Sequence, residues 1–158
     1  MERSPMTLAG YQALQNEVKK LKGEERAKIV KAIEEARAHG DLSENAEYSA
    51  AREAQSLLEG RINYIEEMLS LAEVVDVSKL SGDAVVFGAT VLLSDADTGE
   101  ERTICIVGEE ETAAERGFIS YKSPLARALI RKKVNDTAKV KLPSGEKEYE
   151  ILEISFAA

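Results

Sequence analysis

Two apolar stripes that mate around one short turn constrain this chain more than any other feature. From Tyr48 onward, Tyr48, Ala51, Gln55, Leu58, Ile62, Ile65, Leu69 and Ala72 recur at alternating steps of three and four. All but Gln55 are apolar or aromatic, so the pattern is a heptad seam that lays one narrow stripe against a partner helix. Upstream, Tyr11, Leu14, Val18 and Leu21 keep the same alternation, which slips near Gly23 and resumes as Ile29, Ala32 (flanked by Ile33) and Ala36. Between the stripes stands His39-Gly40-Asp41. Gly40 suits the left-handed residue that ends many helices, and Asp41 suits the N-cap of the next. So short a connection makes the two helices antiparallel neighbours.

The register can be read by arithmetic, because facing residues in an antiparallel pair have positions of constant sum. Tyr11 with Ala72, Leu14 with Leu69, Val18 with Ile65, Leu21 with Ile62 and Ala32 with Ala51 all give 83, and Ala36 with Tyr48 gives 84. Glu25 would face Leu58 beside Gly23, which predicts a local irregularity there. A helix from Thr7 to Ala38 would be on the order of 45–50 Å long. Packing or dimerisation is the ordinary use of such a hairpin.

Charge narrows the function. The chain of 158 residues carries a net charge of −8. Residues 1–76 hold 10 Lys/Arg against 15 Asp/Glu, and residues 77–158 hold 11 against 14, so neither half is basic. A protein that coats nucleic acid needs a dense basic surface for counterion release. Any nucleic-acid contact is therefore local or made through a protein partner. Cys105 is the only cysteine and lies in the apolar run Thr103–Val107, which points to a structural thiol in a reducing compartment. Met1–Met6 lacks an apolar signal region and no stretch is long enough to span a bilayer, so a cytoplasmic protein without a membrane partner is expected.

After Val74–Val77 the helical period disappears. Short β-rich runs follow at 84–87, 89–93, 103–107, 118–121, 138–142 and 148–154, separated by turn residues such as Asp97-Thr98-Gly99 and Pro143-Ser144-Gly145. One short helix is predicted over Ser123–Ile130, with Ser123 as N-cap and Pro124 in the first turn, where its missing N–H costs nothing. The expected fold is α+β: residues 1–76 form an antiparallel coiled-coil hairpin, and residues 77–158 form a small antiparallel β domain with one helix.

Asp41 and Glu44 are three residues apart at the expected helix start, and two arrangements fit them. Asp-x-x-Glu approximates a capping box, in which Asp41 accepts a backbone N–H and Glu44 reaches back to the cap residue. The same spacing fits half of a magnesium site, since magnesium takes one or two carboxylates and fills its shell with water and phosphate oxygens. Two carboxylates on an exposed turn cannot hold the ion alone, so the tip reads as a component completed by a partner. His39, the only histidine, has no companion Cys or second His, which favours a structural role over metal ligation. Arg37 and Arg52 flank the tip and are candidates for phosphate contact. The run Lys19, Lys20, Lys22, Arg26, Lys28 and Lys31 is interleaved with acids and reads as a solvated face with i,i+4 pairing.

The stretch Ala36-Arg37-Ala38-His39-Gly40-Asp41-Leu42-Ser43-Glu44-Asn45-Ala46-Glu47-Tyr48 closely resembles the tip signature of the Gre transcript cleavage factors of bacterial RNA polymerase. Ser123-Pro124-Leu125-Ala126-Arg127-Ala128-Leu129-Ile130 resembles their second signature, and Met6-Thr7-Leu8, Gly10 and Phe87–Val91 also fit. The resemblance covers essentially the whole chain, and Leu42 with the sparse basic content near the tip resembles the GreA branch more than GreB. It implies an FKBP-like C-terminal domain that docks on the polymerase, with Ser123, Pro124 and Arg127 in the docking segment. It also implies a coiled coil that enters the secondary channel and meets the 3′ end of nascent RNA. On this resemblance Asp41 and Glu44 are auxiliary catalytic acids that help hold a second magnesium and its water. The polymerase itself then cleaves backtracked RNA. The chain alone would bind no cofactor or small-molecule substrate and would not be an enzyme. Other readings are a channel-binding inhibitor, opposed by the intact Asp41/Glu44 pair, and an FKBP-like isomerase or chaperone, opposed by the scarcity of aromatics. One departure is Arg131-Lys132-Lys133, where the family often has Gly then Lys.

Overall fold

A computed structural model describes residues 2–41 and 45–156. The chain is α+β and forms two compact units, one from Gln12 to Leu71 and one from Glu2–Tyr11 together with the chain from Ala72 onward.

The helical unit contains most of α1 (Leu8–Lys20), a π-helical turn (Leu21–Glu25), α2 (Arg26–Arg37) and α3 (Ala46–Leu71). Leu14, Ile33 and Ala36 are buried on the first arm, and Ala51, Leu58, Ile62 and Ile65 on the second. Three ion pairs join the arms at 2.7–2.8 Å: Glu17 with Arg61, Lys22 with Glu66, and Arg26 with Glu59. Lys22 and Arg26 meet Glu66 and Glu59 in reverse order, as an antiparallel hairpin requires, while Glu17 reaches along the arm to Arg61. Lys22 and Arg26 thus pair across the hairpin rather than with i,i+4 neighbours. All six side chains are about 40% exposed or more, so each pair contributes little.

The predicted irregularity is the π turn. Arg26 N–H donates to Leu21 C=O five residues back, which inserts one residue into the helical ladder. The inner stripe accordingly steps by four three times in succession, through Leu21, Glu25, Ile29 and Ile33. The pairing of Ala32 with Ala51 is corrected: Ala32 is exposed and Ile33 is buried. Beyond the π turn the burial of Ile33 and Ala36 on the first arm and of Ala51 on the second fits a sum of 84 better than 83. The extra residue of the π turn accounts for that shift of one.

The second unit holds a parallel pair, β1 (Ser4–Thr7) with β2 (Ala72–Val75). It also holds a five-stranded sheet of β3 (Thr90–Asp95), β4 (Glu101–Val107), β5 (Phe118–Ser120), β6 (Thr137–Leu142) and β7 (Gly145–Ser155), in the order β5-β4-β3-β7-β6. The alternation of strands such as Thr137–Leu142 turns Ala138 and Val140 inward, where they meet Leu125, Ala126 and Leu129 of α4 (Pro124–Leu129). Phe87 and Tyr121 pack edge to face at 5.8 Å beside this core.

Four expectations are corrected here. The sheet is not wholly antiparallel, because β5 lies parallel to β4. The apolar run Ala84–Phe87 forms only an isolated bridge from Ala84 to Lys133, although Val85 is fully buried. Its hydrophobicity serves the core rather than a ladder. The helical pattern read through to Ala72 ends at Leu71, since Ala72 pairs with Ser4 in the parallel strands. That pairing also places Glu2–Tyr11 with the second unit, where the sequence had grouped them with the hairpin.

Glu111 secures the first strand within this unit. Its carboxylate accepts hydrogen bonds from Thr7 N–H (3.0 Å), Gly108 N–H (2.9 Å) and the Thr7 hydroxyl. Thr7 in turn caps α1 by accepting Gly10 N–H at 3.1 Å. Gly10 leaves the space that this carboxylate occupies, since a Cβ there would overlap the Glu111 carboxyl group.

Candidate functional site

The turn between α2 and α3 is closed by backbone bonds on one side and by a side-chain cap on the other. Ala38 N–H donates to Glu34 C=O, His39 N–H to Ala36 C=O and Gly40 N–H to Arg37 C=O, at 3.1–3.3 Å. Gly40 then adopts φ +111°, a conformation that only glycine takes without strain. Asp41 follows, exposed and outside any helix. Glu44, the second acid expected at the tip, lies outside the described residues, as do Leu42 and Ser43.

The cap of α3 is Asn45, not Asp41. Its side-chain oxygen accepts Tyr48 N–H at 3.1 Å, and its backbone carbonyl accepts Ser49 N–H at 3.1 Å. Its amide nitrogen donates to Ala36 C=O at 2.6 Å, nine residues back on the other arm. The sequence reading passed over Asn45 because Asp41 already offered a cap beside Gly40. The available signal was the capping strength of Asn immediately before an unbroken helical pattern.

The other flanking residues are arranged as follows. His39 Nε2 lies 3.6 Å from Glu47 Oε2, both side chains exposed, so the histidine spans the two arms at the tip. Arg37 closes α2 and Arg52 lies in α3; both are exposed, and neither forms an ion pair among the described residues. Among the described residues no group of three or more His, Cys, Asp or Glu is clustered to hold a metal. The donor set at the turn, with Asp41 as its described member, therefore fits magnesium only as a contributor to a shared shell.

In the second unit Ser123 is half-buried and its hydroxyl accepts Ala126 N–H at 3.2 Å, while Pro124 and Arg127 are exposed on α4. Leu125, Ala126 and Leu129 face the core, so the helix shows one apolar and one open side. The Arg131-Lys132-Lys133 departure follows α4. Arg131 sits at φ +76° with its N–H on Val85 C=O at 2.8 Å, a backbone shape that suits glycine. Cys105 is half-buried, and burial raises its pKa, which suppresses the thiolate.

Two family models match the chain in tandem. The N-terminal domain of transcription elongation factors matches residues 4–74, and the C-terminal domain of GreA/GreB transcription elongation factors matches residues 80–156. The chain belongs to the GreA/GreB family of transcription elongation factors. Among curated relatives, the transcription elongation factor GreA of Beijerinckia indica is 58% identical over 99% of both chains. GreA of Ruegeria pomeroyi is 57% identical over 99% of this chain and all of its own. Among solved structures, GreA factor homolog 1 (Gfh1) of Thermus thermophilus is 26% identical over 98% of this chain and 99% of its own, with a TM-score of 0.45. Within this GreA/GreB chain the N-terminal match holds the turn with Asp41, and the C-terminal match holds α4. Among the described residues no helix is long and apolar enough to cross a membrane.

Proposed function

We propose that this elongation factor rescues backtracked or arrested bacterial RNA polymerase by stimulating the polymerase's own cleavage of the RNA 3′ end. The observation that carries the reading is the exposed Asp41 at the closed end of a two-helix hairpin. Among the described residues no group of three or more potential ligands surrounds that acid, which supports a contributor rather than a complete site. The hairpin is read as the element that enters the secondary channel, and the sheet unit as an FKBP-like docking domain acting from the cytoplasm. Its five-stranded sheet packed on one short helix, with Pro124 and Arg127 on the open side, supports that role.

In this reading Asp41 and Glu44 bring two carboxylates to a shell completed by the polymerase and the RNA. A shared magnesium ion supplies activation of the attacking water. Arg37 and Arg52 lie on either side of the turn in the chain and offer positive charge to phosphate near the RNA end. The factor alone cleaves nothing, because its own donors are too few.

The test is cleavage in stalled elongation complexes. Asp41→Asn removes charge without touching the cap of α3, so folding and polymerase binding are expected to persist while stimulated cleavage falls by two orders of magnitude or more. Full stimulation by Asp41→Asn overturns the role of the acid. Binding without cleavage by the parent protein indicates a channel-blocking inhibitor instead.

A further inference from the structure

We propose that Asn45 is the positioning residue of the acidic turn, locking the end of α2 to the start of α3 so that Asp41 is delivered in fixed geometry. This rests on the cleavage-assisting function above. The primary amide is a donor and an acceptor on one planar group. Here the acceptor takes Tyr48 N–H at 3.1 Å and the donor reaches Ala36 C=O at 2.6 Å. Ala36 C=O also accepts His39 N–H at 3.1 Å, so both of its lone pairs are engaged. Ala36 is buried at 1% exposure, and its carbonyl keeps the His39 N–H when the amide is lost, so the bridge fixes position rather than supplying a sole partner.

No other common capping residue does both jobs. Ser caps about as well as Asn but is too short to bridge as well. Asp caps too, yet it would set a carboxylate oxygen against the Ala36 carbonyl. The chain enters the turn at Gly40 and leaves it at Asn45, so this amide fixes the exit against the arm that makes the entrance. Ligands need placement to a fraction of an ångström, and a misplacement of about 1 Å can cost about a hundredfold in rate.

Asn45→Ser and Asn45→Asp keep the cap and remove the bridge. Each is expected to lower the maximal cleavage rate at saturating factor by about ten- to a hundredfold, with the factor concentration for half-maximal effect unchanged. The magnesium concentration for half-maximal cleavage should rise. In the free protein, amide exchange at His39 and Gly40 should speed up in Asn45→Ser while Tyr48 stays protected. Asp41→Asn is measured alongside. If it abolishes cleavage while both Asn45 variants match the parent, the positioning role is wrong and the function stands. If Asp41→Asn cleaves fully, the functional reading itself fails. A raised half-maximal factor concentration in both Asn45 variants assigns the residue to folding or docking and overturns the proposal.

Discussion

Leu14, on α1 of the hairpin, keeps 7% of its surface, while Leu129, on α4 of the sheet unit, is fully enclosed at 0%. The contrast is one of extent, since Ile62 and Ile65 of α3 are themselves at 1% and 0%. The hairpin buries one narrow stripe and adds exposed ion pairs between its arms, whereas the sheet unit gathers Val91, Leu93, Ile104, Ile106 and Ile151 into one core at 0–1% exposure. A two-helix element has no third layer to shut water out, so its stability is spread thinly along its length. It gains reach and an exposed end in return, and the acidic turn is placed there.

The largest expected effect probes this contrast directly. Leu129→Ala should cost about 3–5 kcal/mol and Leu14→Ala about 2, since residual cavity and lost burial both scale with enclosure. Denaturant unfolding of the two variants measures it, and equal losses would break the contrast.

Gly10→Ala comes next. The added Cβ displaces the Glu111 carboxylate, leaving the N–H groups of Thr7 and Gly108 without their acceptor. A loss of about 1–3 kcal/mol is expected, and Glu111→Gln in the same background should then cost little more. A full additional loss would show that Glu111 had kept its bonds.

Arg131→Gly should stabilise the sheet unit by about 1 kcal/mol, because it relieves a left-handed residue at the end of α4. A lower melting temperature would show that the arginine side chain outweighs its backbone strain.

The smallest effect belongs to the hairpin surface. The Arg26 guanidinium, chiefly through its hydrogen bonds, holds the Glu59 carboxyl below its ordinary pKa. A carboxyl depressed by folding stabilises above its unfolded pKa and loses that contribution as pH falls through the folded value. Glu59→Gln should therefore melt slightly below the parent at neutral pH and converge with it in acid. Parallel curves across that range would show that the pair contributes nothing.

The sequence revealed the hairpin and most of its seam because a heptad stripe is a local pattern, repeated often enough to survive one slip. It located the irregularity at Gly23 but chose Ala32 over Ile33, since an inserted residue rotates everything beyond it and only the downstream pairs reveal that. The turn was legible in Gly40 and Asp41, while the bridge from Asn45 to Ala36 was not, because a side-chain bond across nine residues leaves no periodic trace. The helix at Ser123-Pro124 announced itself by its cap. The pairing of β1 with β2 and the parallel placement of β5 depend on partners far away in the chain, and four residues such as Ser4–Thr7 carry no mark of them.

The parallel pairing of Ser4–Thr7 with Ala72–Val75 also sets an order for synthesis. The first strand leaves the ribosome early, but its partner is made only after the whole hairpin, and the Glu111 acceptor later still. Closing so long a loop is slow relative to helix formation. The helical arms can therefore form while the unit that holds their amino-terminal segment is still incomplete. In sequence terms the hairpin is an insertion between the first strand of the sheet unit and the rest of it. Matched deletions from both arms change its length while leaving both strands and the Glu111 anchor in the chain.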